Sequence, residues 1–297
     1  MKLAFVILQY MASDDTMECV ASIRRYAGTE DYKIIIVDNC SPDDSCEKVQ
    51  AQYGQDEDVV LIRSKSNLGF AKGNNLGYRY VLKHYQPEYV IMLNNDVLLI
   101  EDGIYEVLSD CYRRHDFAVM GPMIFTADGL YTSSPMIADH KGRPDDAPAT
   151  KKEFQKSIRK YECELFLIRL HIYDLIRYVY KKFIEKPESH GGPDYFKEHI
   201  NCRLHGSFLV FSQKYQNHFP SGLDSRTFMY DEEYFLQYHV MNAGMKLLYS
   251  PAYRIYHKED ASTSAMLKTK TKKAQFQLQG MVRSRKLYIE MLENGED

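Results

Sequence analysis

The sequence predicts an α/β fold, a Rossmann-like, mostly parallel central sheet with helices on both faces, and three observations predict it. Short unbroken apolar runs recur as LAFVIL (3–8), KIIIV (33–37) and YVIML (89–93), the pattern of strands covered on both sides. The intervals between them carry apolar residues at helical spacing. Every polar cluster in this region stands at the carboxyl end of one of the predicted strands.

Taken in order, Leu3–Leu8 is the first strand. Asp14 and Asp15 open a helix in which Met17, Val20, Ile23 and Tyr26 recur at helical spacing. The run 33–37 is the second strand. Ser41-Pro42-Asp43-Asp44 predicts a turn and an N-terminal cap for a helix reaching about Tyr53. Asp58–Ile62 is a third strand, and a loop containing Asn67-Leu68-Gly69-Phe70 leads into a helix through about Tyr85. Tyr89–Leu93 is the fourth strand, ending at Asn94-Asn95-Asp96. Strands and helices alternating at this spacing imply right-handed crossovers and a parallel sheet. Ligands of such sheets bind beyond the carboxyl ends of the strands. Gln9-Tyr10, Asp38-Asn39, the Asn67–Asn75 loop and Asn94-Asn95-Asp96 should therefore converge on one rim, as for a nucleotide or phosphate ligand.

Composition removes several classes of function. The 38 Lys+Arg and 41 Asp+Glu nearly balance, giving a net charge of −3 and no basic field for nucleic acid. The 24 Tyr with no Trp suit internal packing and sugar-stacking surfaces alike. The 6 Cys include no Cys-x-x-Cys pair, which argues against a zinc ribbon or thioredoxin-like motif. Free thiols fit a reducing cytoplasm. The apolar start is too short for a signal peptide and is followed by acids. No stretch reaches the roughly 18–20 apolar residues of a membrane span. A cytoplasmic protein, at most peripheral on the inner face of the cell membrane, is the expectation.

The turn after the first strand reads Gln9-Tyr10-Met11-Ala12-Ser13, without the glycines of a dinucleotide fingerprint, and no P-loop occurs. A diphosphate would need another counterweight. Asp96, at the mouth of a buried strand, could hold Mg²⁺ or Mn²⁺, which favour carboxylate and phosphate oxygens. A lone Asp there also suits a cap or turn, and Asp38 carries the same ambiguity.

The runs KIIIVDNCSPDDS (33–45), NLGFAKGNNLG (67–77) and YVIMLNNDVLL (89–99) resemble glycosyltransferase family 2, nearest to its rhamnosyltransferase-like and capsular-polysaccharide members. ILQYMASDDTMECVASI (7–23) resembles their opening strand and helix, with Met11 where an Asn is common. The resemblance implies a GT-A fold. It implies a donor site formed by Gln9, Tyr10, Asp38, Asn39, Asn67, Gly69, Lys72, Asn75, Asn94 and Asn95, with Asp38 on the base or ribose. It also implies that Asn94-Asn95-Asp96 stands in for an Asp-x-Asp motif, with Asp96 as the ligand of a divalent cation, Mn²⁺ or Mg²⁺.

The resemblance resumes at His205-Gly206-Ser207-Phe208-Leu209-Val210 and runs to about Ser262. Aligning Tyr230 with the family's aromatic places Glu232-Glu233 on its Glu-Asp pair and makes Glu233 the catalytic base, with Asp231 as a register-shifted rival. Phe235 stands where a second Asp is common. Such a base would take the proton of an attacking acceptor hydroxyl, while a cation offsets the charge of the departing nucleoside diphosphate. The family implies inversion at the anomeric carbon. Asp231-Glu232-Glu233 equally suits a solvated helix start. His257, followed five residues later by Ser262, matches a family His and is assigned to the metal or diphosphate.

Residues 143–200 depart from the family as an insertion. Lys151–Lys186 reads as a helix with Leu165, Ile168, Ile172, Leu175, Val179 and Phe183 on one stripe. Its excess of Lys and Arg fits an anionic membrane surface carrying a lipid-linked acceptor, and its stripe fits packing on the core or on a second subunit. Ser189–Pro193 reads as a flexible connection. The Lys-rich tail becomes helical through Phe276, Met281, Leu287 and Ile289, a pattern that fits membrane contact, dimerisation or docking. The expected organisation is a nucleotide-sugar-binding half (1–125), an acceptor-binding and catalytic half (126–262) and a helical tail (263–297). The expected function is transfer of a sugar from a dTDP-rhamnose or UDP-sugar type donor to a glycan or lipid-linked glycan in surface polysaccharide synthesis. A sugar-phosphate nucleotidyltransferase, which lacks support in the first turn, and a non-catalytic nucleotide-sugar-binding relative are the alternatives.

Overall fold

The apolar runs become strands whose alternate residues face opposite layers. Leu3, Phe5 and Ile7 of β1 (Leu3–Gln9) join one core cluster, while Ala4 and Val6 join another. Both faces are therefore covered, which is why the run contains no polar alternation. The computed structural model describes residues 1–29, 31–127, 134–136, 146–173, 195–259 and 269–295. In the first part, β1, α1 (Ser13–Tyr26), β2 (Tyr32–Asp38), α2 (Ser45–Tyr53), β3 (Val59–Arg63), α3 (Phe70–His84) and β4 (Tyr89–Asn94) follow the predicted alternation. Then come β5 (Val97–Leu99), α4 (Ile104–His115), β6 (Val119–Phe125) and α5 (Lys151–Arg169). The remainder is β7 (His199–Ile200), β8 (Phe208–Ser212), α6 (Gln213–His218), α7 (Glu232–Asn242), β9 (Leu247–His257) and α8 (Lys270–Asn294).

The main path of the sheet runs β3-β2-β1-β4-β8-β6-β9-β5, with β7 on β9. β1 pairs in parallel with β2 and β4, and β2 with β3, so their carboxyl ends share a rim. β8 enters antiparallel between β4 and β6, which makes the sheet mixed. The long β9 runs parallel to β6 and ends antiparallel to β5, with His257 opposite Val97.

Local details depart from the sequence expectations. Within the expected Ser41–Asp44 turn it is Asp43 that serves the start of α2, its Oδ1 accepting from the backbone N–H of Ser45 (3.2 Å), while Asp44 makes no capping bond. α5 starts with a capping box between Thr150 and Glu153 but ends at Arg169, short of the expected Lys186. The break falls at His171, whose φ of 58° is left-handed. Leu175, Val179, Phe183 and the Ser189–Pro193 connection lie outside the described residues. Of the expected stripe, Ile168 is buried, whereas Phe154 and Ile158 bury the first turns. Phe154 joins Phe235 of α7 with Tyr288 and Met291 of α8 in a separate small core. The insertion helix is thus packed on the tail helix, reinforced by Lys286–Glu162 (2.7 Å) and by Lys151–Glu293.

α3 lies unusually close to the sheet because two glycines face it. A Cβ on Gly73 would stand 2.6 Å from Leu8 Cδ1, and one on Gly77 2.5 Å from Val6 Cγ1. That closeness sets the height of the α3 N-terminus over the rim. Gly77→Ala is expected to destabilise the fold by about 1–3 kcal/mol, since Val6 sits in a fully packed layer. Urea unfolding would measure it, and an unchanged midpoint would mean that α3 is free to shift.

Candidate active site

The rim carries a cleft of about 510 Å³, within the ~300–1,000 Å³ common for small-molecule sites. Of the residues predicted from sequence, Tyr10, Asn39, Asn67, Gly69, Asn94, Asn95, Asp96, Asp231, Glu232, Glu233 and His257 line it. Gln9, Asp38, Lys72 and Asn75 are not among its lining residues.

Asp38 lies behind the rim rather than in it. Its side chain is fully buried, accepting from Gln9 Nε2 (3.3 Å) and from the Ser41 backbone N–H (3.1 Å). Ser41 Oγ in turn accepts from Met11 N (3.0 Å), so one buried carboxylate ties together the loops after β1 and β2. Asn75 is equally structural: its amide donates to Leu223 O (2.7 Å) and accepts from Leu223 N (2.8 Å). Lys72 is exposed on α3. Asn95 donates to Ala12 O and Thr16 Oγ1, both at 3.1 Å, holding the start of α1.

Asn39 organises the loop before α3. It donates to Asn67 Oδ1 (3.2 Å) and Gly69 O (3.1 Å), and accepts from Leu68 N (2.9 Å). Gly69, at φ 77°, leaves room for Phe228 O, which would lie 1.9 Å from a Cβ there. Phe228 O accepts instead from Phe70 N (2.7 Å), so the segment leading to the acidic run is seated on the first turn of α3. This contact requires a glycine at 69 both for its φ and for its lack of a side chain.

The β5–β9 pairing brings Asp96 and His257 together. Lys258 N donates to Asp96 O (3.0 Å), and His257 Nε2 lies 3.2 Å from Asp96 Oδ1. His257 Nδ1 is buried with no hydrogen-bond partner. His205, absent from the sequence-derived site, packs its ring 5.7 Å from that of His257. Burial and the adjacent His257 push its pKa down to about 4, keeping it neutral near pH 7. Its Nδ1 is 2.8 Å from Ser207 Oγ. Asp96 Oδ1 and His257 Nε2, side by side, would offer a divalent cation such as Mn²⁺ one carboxylate oxygen and one imidazole nitrogen, leaving its other positions to phosphate oxygens.

The acidic run lies across the cleft wall on a strained turn. Tyr230 (φ 73°) and Asp231 (φ 66°) are both left-handed, a conformation costing ~1–3 kcal/mol per residue unless the surroundings enforce it. The enforcement comes from the tail. Arg285 of α8 donates to both Asp231 oxygens (2.7 and 3.3 Å), and its guanidinium lies over the rings of Tyr161 (4.8 Å) and Phe154 (5.1 Å). Asp231 is thus engaged as an anchor. Glu232 is buried and accepts from Thr227 Oγ1 (3.0 Å). Glu233 is half-buried and accepts from Gly206 N (3.2 Å); a Cβ at Gly206 would stand 2.9 Å from its Oε1. Burial raises the pKa of both glutamates, and the neighbouring acids raise them further.

The sequence leaves three carboxylates as rivals; all three line the cleft, and the geometry sets Asp231, paired with Arg285, and Glu232, bonded to Thr227, apart from Glu233, the least buried of the three. Sequence reasoning missed His205, for which only the His-Gly-Ser triplet before β8 was a signal. It also missed the wall made by Phe276, Gln277 and Met281 of α8, for which no motif existed.

The profile of Glycosyl transferase family 2 matches residues 5–174. The chain belongs to that family. It is 26% identical over 128 residues to the low-salt glycan biosynthesis hexosyltransferase Agl10 of Haloferax volcanii, a match covering 43% of this chain and 38% of that one. Among solved structures, it resembles S. aureus TarS 1-349 (TM-score 0.52, 11% identity, 87% of this chain and 60% of that one). It also resembles GalNAc-T7 crystallised with UDP, GalNAc and Mn²⁺ (TM-score 0.55, 14% identity, 86% of this chain and 44% of that one). These likenesses show the GT-A fold. The chain thus spans less than two thirds of the length of each of these relatives.

The buried Arg285–Asp231 pair generates a prediction. Arg285→Met leaves Asp231 charged and unpaired, and should destabilise the protein by about 3–5 kcal/mol. Removing both charges, in Arg285→Met with Asp231→Leu, should restore most of that loss. Thermal unfolding of the two single variants and the double variant measures the coupling; additive losses would show that the pair contributes nothing as a pair.

Proposed function

We propose that the chain is an inverting glycosyltransferase that moves a sugar from a nucleotide-sugar donor to a hydroxyl of a glycan or lipid-linked glycan in surface polysaccharide synthesis. The observation that carries this reading is that Glu233 and the Asp96–His257 pair line one cleft. A group able to take a proton and a group able to hold a diphosphate-bound cation are then available to a single bound donor.

In this reading residues 1–125 hold the donor, with Tyr10, Asn39, Asn67, Asn94 and Asn95 shaping its seat. Asp38 acts as a positioning residue through Gln9 and Ser41. Asp96 and His257 hold Mn²⁺ or Mg²⁺, which when bound neutralises charge on the leaving diphosphate. Residues 126–262 supply Glu233, which takes the acceptor proton as the hydroxyl oxygen bonds to the anomeric carbon and the carbon–phosphate oxygen bond breaks. Gly206 N holds Glu233 in place. Solved relatives carry UDP, UDP-GlcNAc, or UDP with GalNAc and Mn²⁺. UDP-sugars with Mn²⁺ therefore lead the donor candidates, with dTDP-rhamnose next. No helix among the described residues is long and apolar enough to cross a membrane. Exposed Phe166, Leu170 and Ile172 at the end of α5 support peripheral contact with the inner membrane face, where a lipid-linked acceptor would lie.

Thermal stability against a panel of nucleoside diphosphates and nucleotide-sugars, with and without Mn²⁺ or Mg²⁺, tests the donor site without a known acceptor. A cation-dependent rise in Tm with one base, lost in Asp96→Ala, is expected; no rise with any nucleotide would sink the proposal. Glu233→Gln should lower turnover by about 10²–10⁴-fold while keeping the nucleotide-induced rise. Because the base acts deprotonated and its pKa is raised by burial, kcat/KM should fall as pH drops through a value above the ordinary glutamate range. An acid limb at or below that range would assign the base elsewhere.

A further inference from the structure

The cleft continues past Glu233 onto a wall that the tail helix builds. Tyr230 and Phe276 meet edge to face across loop and helix, their ring centroids 6.0 Å apart. Gly280 permits that meeting: a Cβ there would stand 2.6 Å from Tyr230 Cδ2 and 3.1 Å from Met229 O. Ser284 Oγ reaches Met229 O at 3.5 Å, and Arg285 pairs with Asp231. Positions 280, 284 and 285 lie on one face of α8, so the loop is seated along more than a helical turn. The same aromatic pair also borders a second pocket of about 160 Å³, completed by Gln279, Gly280, Arg283 and Ser284. Phe228, Met229, Tyr230 and Phe276 line both hollows, so the side chamber adjoins the catalytic cleft along this wall.

Resting on the glycosyltransferase reading above, we infer that α8 builds the acceptor subsite, and that the acceptor is an oligosaccharide of at least two sugars. Its terminal sugar presents the reacting hydroxyl to Glu233, and the next ring occupies the side chamber. Three observations carry this. The acceptor must reach Glu233, and beyond Glu233 the cleft wall passes from the sheet to the 228–231 loop and α8. The side chamber, about 160 Å³, compares with the roughly 150 Å³ of an enclosed cavity that takes one benzene ring, so it has room for part of a single sugar ring and is too small for a nucleotide. Its lining combines the rings of Phe228, Tyr230 and Phe276 with Gln279 and the exposed Arg283, groups suited to the C–H faces and hydroxyl edges of a pyranose. A bare lipid chain would gain nothing from those polar groups.

The test uses an array of defined monosaccharides and longer oligosaccharides, probed with the full chain in the presence of Mn²⁺ and the nucleoside diphosphate panel. Wild type is expected to retain glycans of two or more units. Phe276→Ala and Gln279→Trp should each bind them about tenfold more weakly, by removing one aromatic face or filling the chamber. Both should keep the nucleotide-induced rise in Tm. Gln279 is exposed, so its variant reports even where Phe276→Ala does not fold. Unchanged glycan binding in a folded Gln279→Trp, retention of monosaccharides alone, or a silent array from protein that responds to nucleotide would each overturn the inference. Absence of any nucleotide response in wild type would instead remove the donor reading, and this inference with it.

Discussion

The antiparallel pairing of β5 with β9 is the constraint on which the site depends. Pairing Val97 with His257 sets Asp96, the residue just before β5, beside the last residue of β9, and the Lys258-to-Asp96 backbone bond closes that end. Those two positions are separated by more than half the chain. A one-residue slip would turn His257 to the opposite face of the sheet. Everything else at the rim is arranged around this fixed point. β1 and β2 deliver their carboxyl ends to the same edge, and Asp38 locks the two loops that leave them.

The second constraint is the 228–231 segment. It is held at one end by the first turn of α3, through Phe228 O, and at the other by α8, through Gly280, Ser284 and Arg285. Two consecutive left-handed residues are tolerated because both anchors fix them. The consequence is chemical. α7 starts inside the cleft with its acids gathered and partly desolvated, which raises the pKa values of Glu232 and Glu233. A carboxylate raised in this way is a better proton acceptor than one in water. The insertion helix α5 and the tail helix α8 contribute by burying Arg285 between Phe154 and Tyr161. Elements that looked peripheral in sequence thus brace the candidate base.

Much of the fold was legible because each strand of the first third is an apolar run bounded by turn residues, a signal that is local. What was not legible was long-range. The sequence marks 208–211 as apolar but does not say that this run enters between β4 and β6 in the opposite direction. At the site, Asp96, His257 and Glu233 were identified through a family resemblance and do line one cleft. Asp38 and Asn75 belong to the same motifs, yet their side chains are spent on Gln9, Ser41 and Leu223, contacts that no local pattern announces. The break of α5 at His171 and the α8 wall were missed for a related reason. Amphipathic spacing shows that a helix buries a face but not what covers it.

The most direct test of the account is pulsed EPR of Mn²⁺ bound to the protein together with UDP. The β5–β9 register predicts a nitrogen hyperfine coupling from a single imidazole, lost in His257→Gln while Mn²⁺ still binds through Asp96. A Mn²⁺ signal without nitrogen coupling, or a coupling that survives in His257→Gln, would contradict the proposal that this register creates a cation site.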